Sequence, residues 1–213
     1  MSPSRYGGYL GLVGLIVLVG FIVRTVFVSP LDPSGIAPGH KLPAFATPLA
    51  RGSLSGDADI ATHANDGEAG KVPACAERGA QILNVCQLYE QGPLVLALFV
   101  DSGSCTRILD SMQALAAQFP SVRFAAVAIR GSRKQVRALM RTQHLTLPIG
   151  LDPEGAVAVL YKVFTCPQVN FAYRGGVVQS KALLGNASAT SLRARVRALL
   201  AATRAREVKE RPA

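Results

Sequence analysis

At 213 residues the chain has room for one domain of roughly 150 residues together with a shorter appended segment. Apolar residues make up 49% of it, near the globular average, so the positive mean hydropathy of +0.28 needs a local source. The net charge of +10 gathers toward the C-terminus without interleaved aromatic residues, a pattern that argues against nucleic-acid binding.

The apolar source is the N-terminus. After a short tail (residues 1–5), no charged residue occurs from Tyr6 to Val23. Eighteen residues at helical rise span about 27 Å, close to the hydrocarbon thickness of a bilayer. Arg24 can reach the headgroups by its long stem, and Thr25 to Val28 extend the stretch, so 6–28 is expected to be a single transmembrane helix. A cleaved signal peptide would have a shorter apolar core and a small-x-small cleavage site, and Phe27-Val28-Ser29-Pro30 is a poor one. Gly7 and Gly11 form a GxxxG spacing, a weak signal for helix pairing. Only Arg5 precedes the span, whereas Arg24 and Lys41 follow it, so flanking charge does not set the orientation. With a short tail before a large domain, the domain is expected to lie outside the cytoplasm, and four cysteines can pair completely there.

Residues 29–41, rich in Pro and Gly, read as a tether to a domain expected over 42–203. Residues 46–73, rich in Gly, Ala, Asp and Ser, suggest a loose hairpin or surface loop within a loop-rich insertion covering about 46–90. Leu94 to Val100 is a continuous apolar run of strand length, as expected for a strand covered on both faces. Asp-Ser-Gly-Ser then leads to Cys105, and Ile108, Leu109, Met112, Leu115 and Phe119 mark a helix. A second buried strand is expected from Val122 to Ile129. Ser132 to His144 is expected to be a helix with a Ser N-cap and apolar Val136, Leu139 and Met140. A short extended piece follows at Leu147–Leu151, then a helix at Glu154–Val163. Two strands, Val169–Tyr173 and Val177–Leu183, flank Arg174-Gly175-Gly176, a tight-turn signal. Leu192, Val196, Leu199 and Thr203 recur at helical spacing among Arg193, Arg195 and Arg197, giving a terminal helix with one buried stripe and a basic tail over 204–213. Its basic face is a solvated surface or, near an anchor, a contact for anionic lipid headgroups. The β-α-β start requires a parallel pair and the final hairpin an antiparallel one, so a mixed central sheet with helices on both faces is expected.

Cys75 and Cys86 have ten residues between them in a polar segment, and the favoured reading is a structural disulfide closing that small loop. The alternative makes one of them a resolving cysteine for Cys105. No cysteine pair has the two-to-four-residue gap of a zinc site, and His40, His63 and His144 show no ligand spacing, so no metal and no cofactor is expected.

The chain resembles the thioredoxin-like redoxins, specifically the membrane-tethered bacterial thiol–disulfide and peroxiredoxin-like branch, over about residues 40–202. The resemblance rests on Phe99, the loop to Cys105, the segment Tyr161-Lys162-Val163-Phe164-Thr165-Cys166-Pro167, the strand ending in Phe171 and the Gly175-Gly176 turn. It implies a three-layer α/β/α sandwich in which Pro167 is a cis-proline facing the reactive cysteine. It also implies that Cys105 and Cys166 are close in space. Cys105 would be the nucleophile, favoured as thiolate at a helix N-terminus. Cys166 would be its partner, Ser102 a hydroxyl donor to the thiolate, and Pro167 with Thr165 the substrate-positioning residues. Substrates would be protein disulfides or a peroxide. The departures are plain: there is no Trp, Ser102 stands where the first cysteine of Cys-x-x-Cys would be, and Leu98 stands at the peroxiredoxin proline position. A thiol oxidoreductase and a non-catalytic binding module with static disulfides are therefore both carried forward.

Overall fold

The computed structural model describes residues 12–20, 35–67, 70–185 and 187–210. The chain divides into two units, Met1–Pro33 and Ser34–Ala213. Of the first, residues 12–20 are helical (α1), and their large apolar side chains, Leu12 to Val19, are solvent-exposed. Among the described residues no helix is long and apolar enough to cross a membrane. The rest of the span expected over 6–28, like residues 29–34 of the tether and 211–213 of the tail, lies outside the described residues.

The second unit is built on a five-stranded mixed sheet in the order β5-β4-β3-β6-β7. β3 (Leu94–Phe99) is central, running parallel to β4 (Arg123–Ile129) and antiparallel to β6 (Gln168–Ala172). β5 (Ile149–Asp152) extends the parallel side, and β7 (Val178–Leu184) completes the antiparallel side as a hairpin with β6. All six residues of β3 are buried, as its uninterrupted apolar sequence requires.

Strand alternation divides the core into two layers. Val95, Ala97 and Phe99 face one side with Phe124, Ala126, Ala128, Val169 and Phe171. Onto them pack Leu109 and Met112 of α3 (Arg107–Gln118), Val136 and Met140 of α4 (Arg133–Thr142), and Leu192, Val196 and Leu199 of α6 (Ala189–Glu210). Leu94, Leu96 and Leu98 face the other side, against Val85 and Tyr89 of α2 (Val85–Gln91) and Val157 of α5 (Ala156–Leu160). Each fully buried Leu or Phe in these layers is worth about 1.5–3 kcal/mol in transfer energy. Tyr161, wholly buried beside Phe45, donates its hydroxyl to the Pro43 carbonyl at 2.8 Å and so ties the start of the domain to the end of α5.

The Ser132 N-cap is a full capping box with Gln135, satisfying the first amides of α4. Two stretches read as irregular in sequence are ordered by pairing. β1 (Ala46–Pro48) pairs antiparallel with β2 (Ile82–Asn84), and α2 follows directly, capped by the Asn84 side chain accepting from the Gln87 N–H at 3.1 Å. Within the expected loop over 46–73, the described residues 49–67 and 70–73 join no named strand or helix, and Arg133 and Arg137 of α4 hold the first turn by donating to the carbonyls of Leu49, Ala50 and Gly52. Residues 35–41, read as tether, run along the β7 edge: Gly39 donates to the Val178 carbonyl at 2.9 Å and Val178 donates back to His40 at 2.8 Å. α6 likewise continues through residues 204–210, where Ala, Arg and Glu are good helix formers, rather than ending at 203.

Candidate active site

The central strand delivers the chain to the site. Beyond Phe99, Val100 and Asp101 leave the sheet. Ser102 then opens a single 3-10 turn, Gly103–Cys105, with the Cys105 N–H donating to the Ser102 carbonyl at 3.0 Å. Gly103 takes a φ of +43°, a conformation few side chains tolerate, so this tight turn suits glycine. Thr106 stands at the N-cap position of α3, which begins at Arg107, without a side-chain cap; its hydroxyl donates to the Gly103 carbonyl at 3.3 Å. Cys105 therefore stands two residues ahead of the helix, within reach of its positive end, and is only 8% exposed.

Cys166 arrives from the other side of the sheet, in the loop that ends α5 and starts β6. Its peptide bond to Pro167 is cis. Because β3 and β6 are neighbours, with Leu98 paired to Gln168, the end of one strand and the start of the other meet. A disulfide joins Cys105 and Cys166, with their Cα atoms 5.4 Å apart across 61 positions. The Cys166 sulfur also accepts the Val100 N–H at 3.3 Å.

Two cavities flank this junction. One, of about 500 Å³, is walled by Val100, Ile129, Val159, Val163, Phe164 and Cys166, with Thr165 and the cations Arg130 and Lys162 also lining it. Val159 and Phe164 are 81% and 70% exposed, unusual for large apolar side chains, and they form an apolar surface at its mouth. Arg130 and Lys162 have φ values of +56° and +51°, and no carboxylate lines the cavity. The other, of about 380 Å³, lies along Ser104, Arg107, Ile108, Ser111 and Pro167.

Of the residues singled out from the sequence, Cys105, Cys166, Pro167 and Thr165 thus converge on one place. Ser102 lies three residues before Cys105 but is exposed, and its side chain makes no cap hydrogen bond to the turn it opens. Arg130 and Val159 were not singled out, and Lys162 and Phe164 entered only as part of the Tyr161–Pro167 segment, with no role at the site.

Cys75 and Cys86 form a second disulfide with a Cα separation of 5.4 Å. It staples the 3-10 turn at Ala74–Ala76 to the first turn of α2, with Cys86 only 1% exposed and the Cys75 sulfur 3.9 Å from the Tyr89 hydroxyl. Neither of these cysteines lines either cavity beside Cys166 and Pro167. Among the described residues no group of three or more His, Cys, Asp or Glu side chains could hold a metal ion.

The strand order, the β-α-β crossover and the cis-proline opposite a cysteine define a thioredoxin-like α/β fold. The chain is similar, with a TM-score of 0.59 and 16% identity over 78% of its length and 99% of the other, to a protein from Chlorobium tepidum assigned as the thiol:disulfide interchange protein DsbE. It is also similar to the peroxidoxin BcpB from Mycobacterium tuberculosis (0.55, 16%, 78% and 97%). A third likeness is to a secreted M. tuberculosis disulfide oxidoreductase homologous to E. coli DsbE (0.50, 22%, 55% and 89%). At these identities the likeness is one of fold. No protein-family model matches the sequence, and no curated protein matches it.

Proposed function

We propose that the chain is a membrane-tethered, extracytoplasmic thiol–disulfide oxidoreductase whose redox centre is the Cys105–Cys166 pair. The carrying observation is that this disulfide lies beside a cis-proline with an open cavity on each side, where a substrate chain has room to lie. The likeness in fold to a thiol:disulfide interchange protein and to a secreted disulfide oxidoreductase adds to this reading. Protein disulfides are favoured over a peroxide as substrate, because two cavities of this size suit a polypeptide rather than a two-oxygen molecule. Thr165 and Pro167 would position that polypeptide, and Ser102, at the mouth of the turn, would contact it.

Tethering is supported by the uncharged stretch from Tyr6 to Val23 and by the exposed apolar side chains of α1. The basic residues Arg193, Arg197, Arg204 and Lys209 are exposed on α6 and would meet anionic headgroups if the domain sits close to the bilayer. The absence of Trp and of Cys-x-x-Cys favours the second reading, a binding module on this fold with static disulfides.

Reduction of a protein disulfide such as that of insulin by dithiothreitol, with and without catalytic amounts of the full chain, decides between the two. Acceleration that disappears in Cys105→Ser and in Cys166→Ser is the expected result. No acceleration by the wild-type protein would leave only the binding module.

A further inference from the structure

The sequence resemblance casts Cys105 as the attacking sulfur, but the geometry points to Cys166 as the cysteine that exchanges with substrate and to Cys105 as the buried sulfur that resolves it. This rests on the proposed redox role of the pair and assigns the two halves of the reaction within it. Three observations carry the assignment. Cys105 is 8% exposed and lines neither flanking cavity, whereas Cys166 is part-exposed and forms part of the 500 Å³ cavity wall. An incoming thiolate therefore meets the Cys166 sulfur first. The Val100 N–H already points at that sulfur from 3.3 Å, a donor that favours its thiolate once the bond is open. Cys105, for its part, stands ahead of the twelve-residue helix α3, where the dipole stabilises a departing thiolate.

The sequence of steps balances. A substrate thiolate attacks the Cys166 sulfur, forming a mixed disulfide and breaking the Cys105–Cys166 bond, and Cys105 leaves as a thiolate that takes up a proton. A second substrate thiolate then attacks the substrate sulfur of the mixed disulfide and releases Cys166 as a thiolate. One substrate disulfide is made, and two electrons rest on the Cys105/Cys166 dithiol. In the reverse direction the Cys166 thiolate attacks a substrate disulfide and Cys105 displaces the product.

The cavity also indicates which substrates approach most readily. Arg130 and Lys162 border it without a carboxylate, so an anionic thiol or disulfide is drawn to Cys166 in preference to a cationic one.

The test is a pulse of iodoacetamide on the mildly reduced full chain, quenched and mapped by peptide mass spectrometry. Cys166 is expected to be alkylated at least tenfold faster than Cys105 in the same molecules. In Cys105→Ser, oxidised glutathione is expected to leave a mixed disulfide on Cys166, whereas Cys166→Ser leaves Cys105 mostly unmodified over the same time. Faster or equal labelling of Cys105 overturns the assignment even if insulin reduction proceeds. Labelling in the expected order with no catalysed turnover leaves the assignment standing and removes the proposed enzyme. A pair that dithiothreitol cannot open in the folded domain overturns both. The wild-type measurement is internal to one protein, so a variant that fails to fold does not remove the result.

Discussion

The two disulfides have the same Cα separation and opposite surroundings. Cys75–Cys86 spans eleven positions, closes a local loop, and has Cys86 packed into the apolar layer under α2. Cys105–Cys166 spans 61 positions, joins the ends of two adjacent strands, and presents one sulfur to an open cavity. The first bond constrains the unfolded chain and gains nothing from being opened. The second is placed where opening it exposes a thiolate with an amide donor and a cationic approach. Position relative to solvent, rather than the presence of a disulfide or of a nearby helix N-terminus, separates the buried staple from the pair proposed to react.

The largest expected effect breaks this contrast directly. Cys105→Ser and Cys166→Ser should each lower the rate of catalysed insulin reduction by roughly a hundredfold or more, because the exchange step loses a reacting atom. The double variant Cys75→Ser/Cys86→Ser should keep the rate within about threefold, since neither sulfur reaches the cavities. A comparable loss in the second variant would show that the centre includes Cys75 or Cys86 as a resolving sulfur.

Stability should respond to the local bond even though activity does not. Removing Cys75–Cys86 is expected to cost about 2–3 kcal/mol by loop closure, read as a lowered Tm and urea midpoint. That loop contains β2 and the start of α2, so the loss should be visible in amide exchange at Ile82–Asn84 before it reaches β3.

These elements also mark how far the sequence alone reached. β3 and β4 announce themselves as unbroken apolar runs because both faces are covered. Ser132 announces α4 through its capping box. β1 and β2 have only three residues each and join across more than thirty positions, so no local pattern reveals them. Residues 35–41 look like a linker because their order comes from the β7 edge rather than from their own composition. At the site, the cysteines and Pro167 were legible through the resemblance. The cationic rim was not, because Arg130 and Lys162 reach the cavity through left-handed backbone positions that no spacing rule anticipates.

Charge reversal at that rim gives a smaller effect. Arg130→Glu/Lys162→Glu should slow the reaction with oxidised glutathione by roughly three- to tenfold, and 0.5 M salt should remove most of the difference. An unchanged rate at low salt would show that the rim does not steer the substrate.

The smallest effect lies away from both disulfides. Asp152 is buried at the end of β5, and burial holds its carboxyl above the ordinary range. The amide of Ala158, at 3.0 Å, and those of Val157 and Ala156 pull the other way, and the charge of Asp57 adds to the rise. The folded chain then holds this proton more tightly than the unfolded one. The resulting stability is complete below the unfolded carboxylate value of about 3.9 and is lost as pH rises through the higher folded value. Asp152→Asn is expected to raise stability at pH 7 by about 1 kcal/mol and to lose that advantage near pH 4. An equal gain at both pH values would point to packing instead.

The most direct test of the central claim is a redox titration of the folded full chain in glutathione buffers, with thiols blocked at each poise and every cysteine mapped by mass spectrometry. The expected result is that Cys105 and Cys166 become reduced together while Cys75 and Cys86 remain bonded. Opening of Cys75–Cys86 first, or resistance of both pairs until the domain unfolds, would contradict the assignment of Cys105–Cys166 as the redox centre.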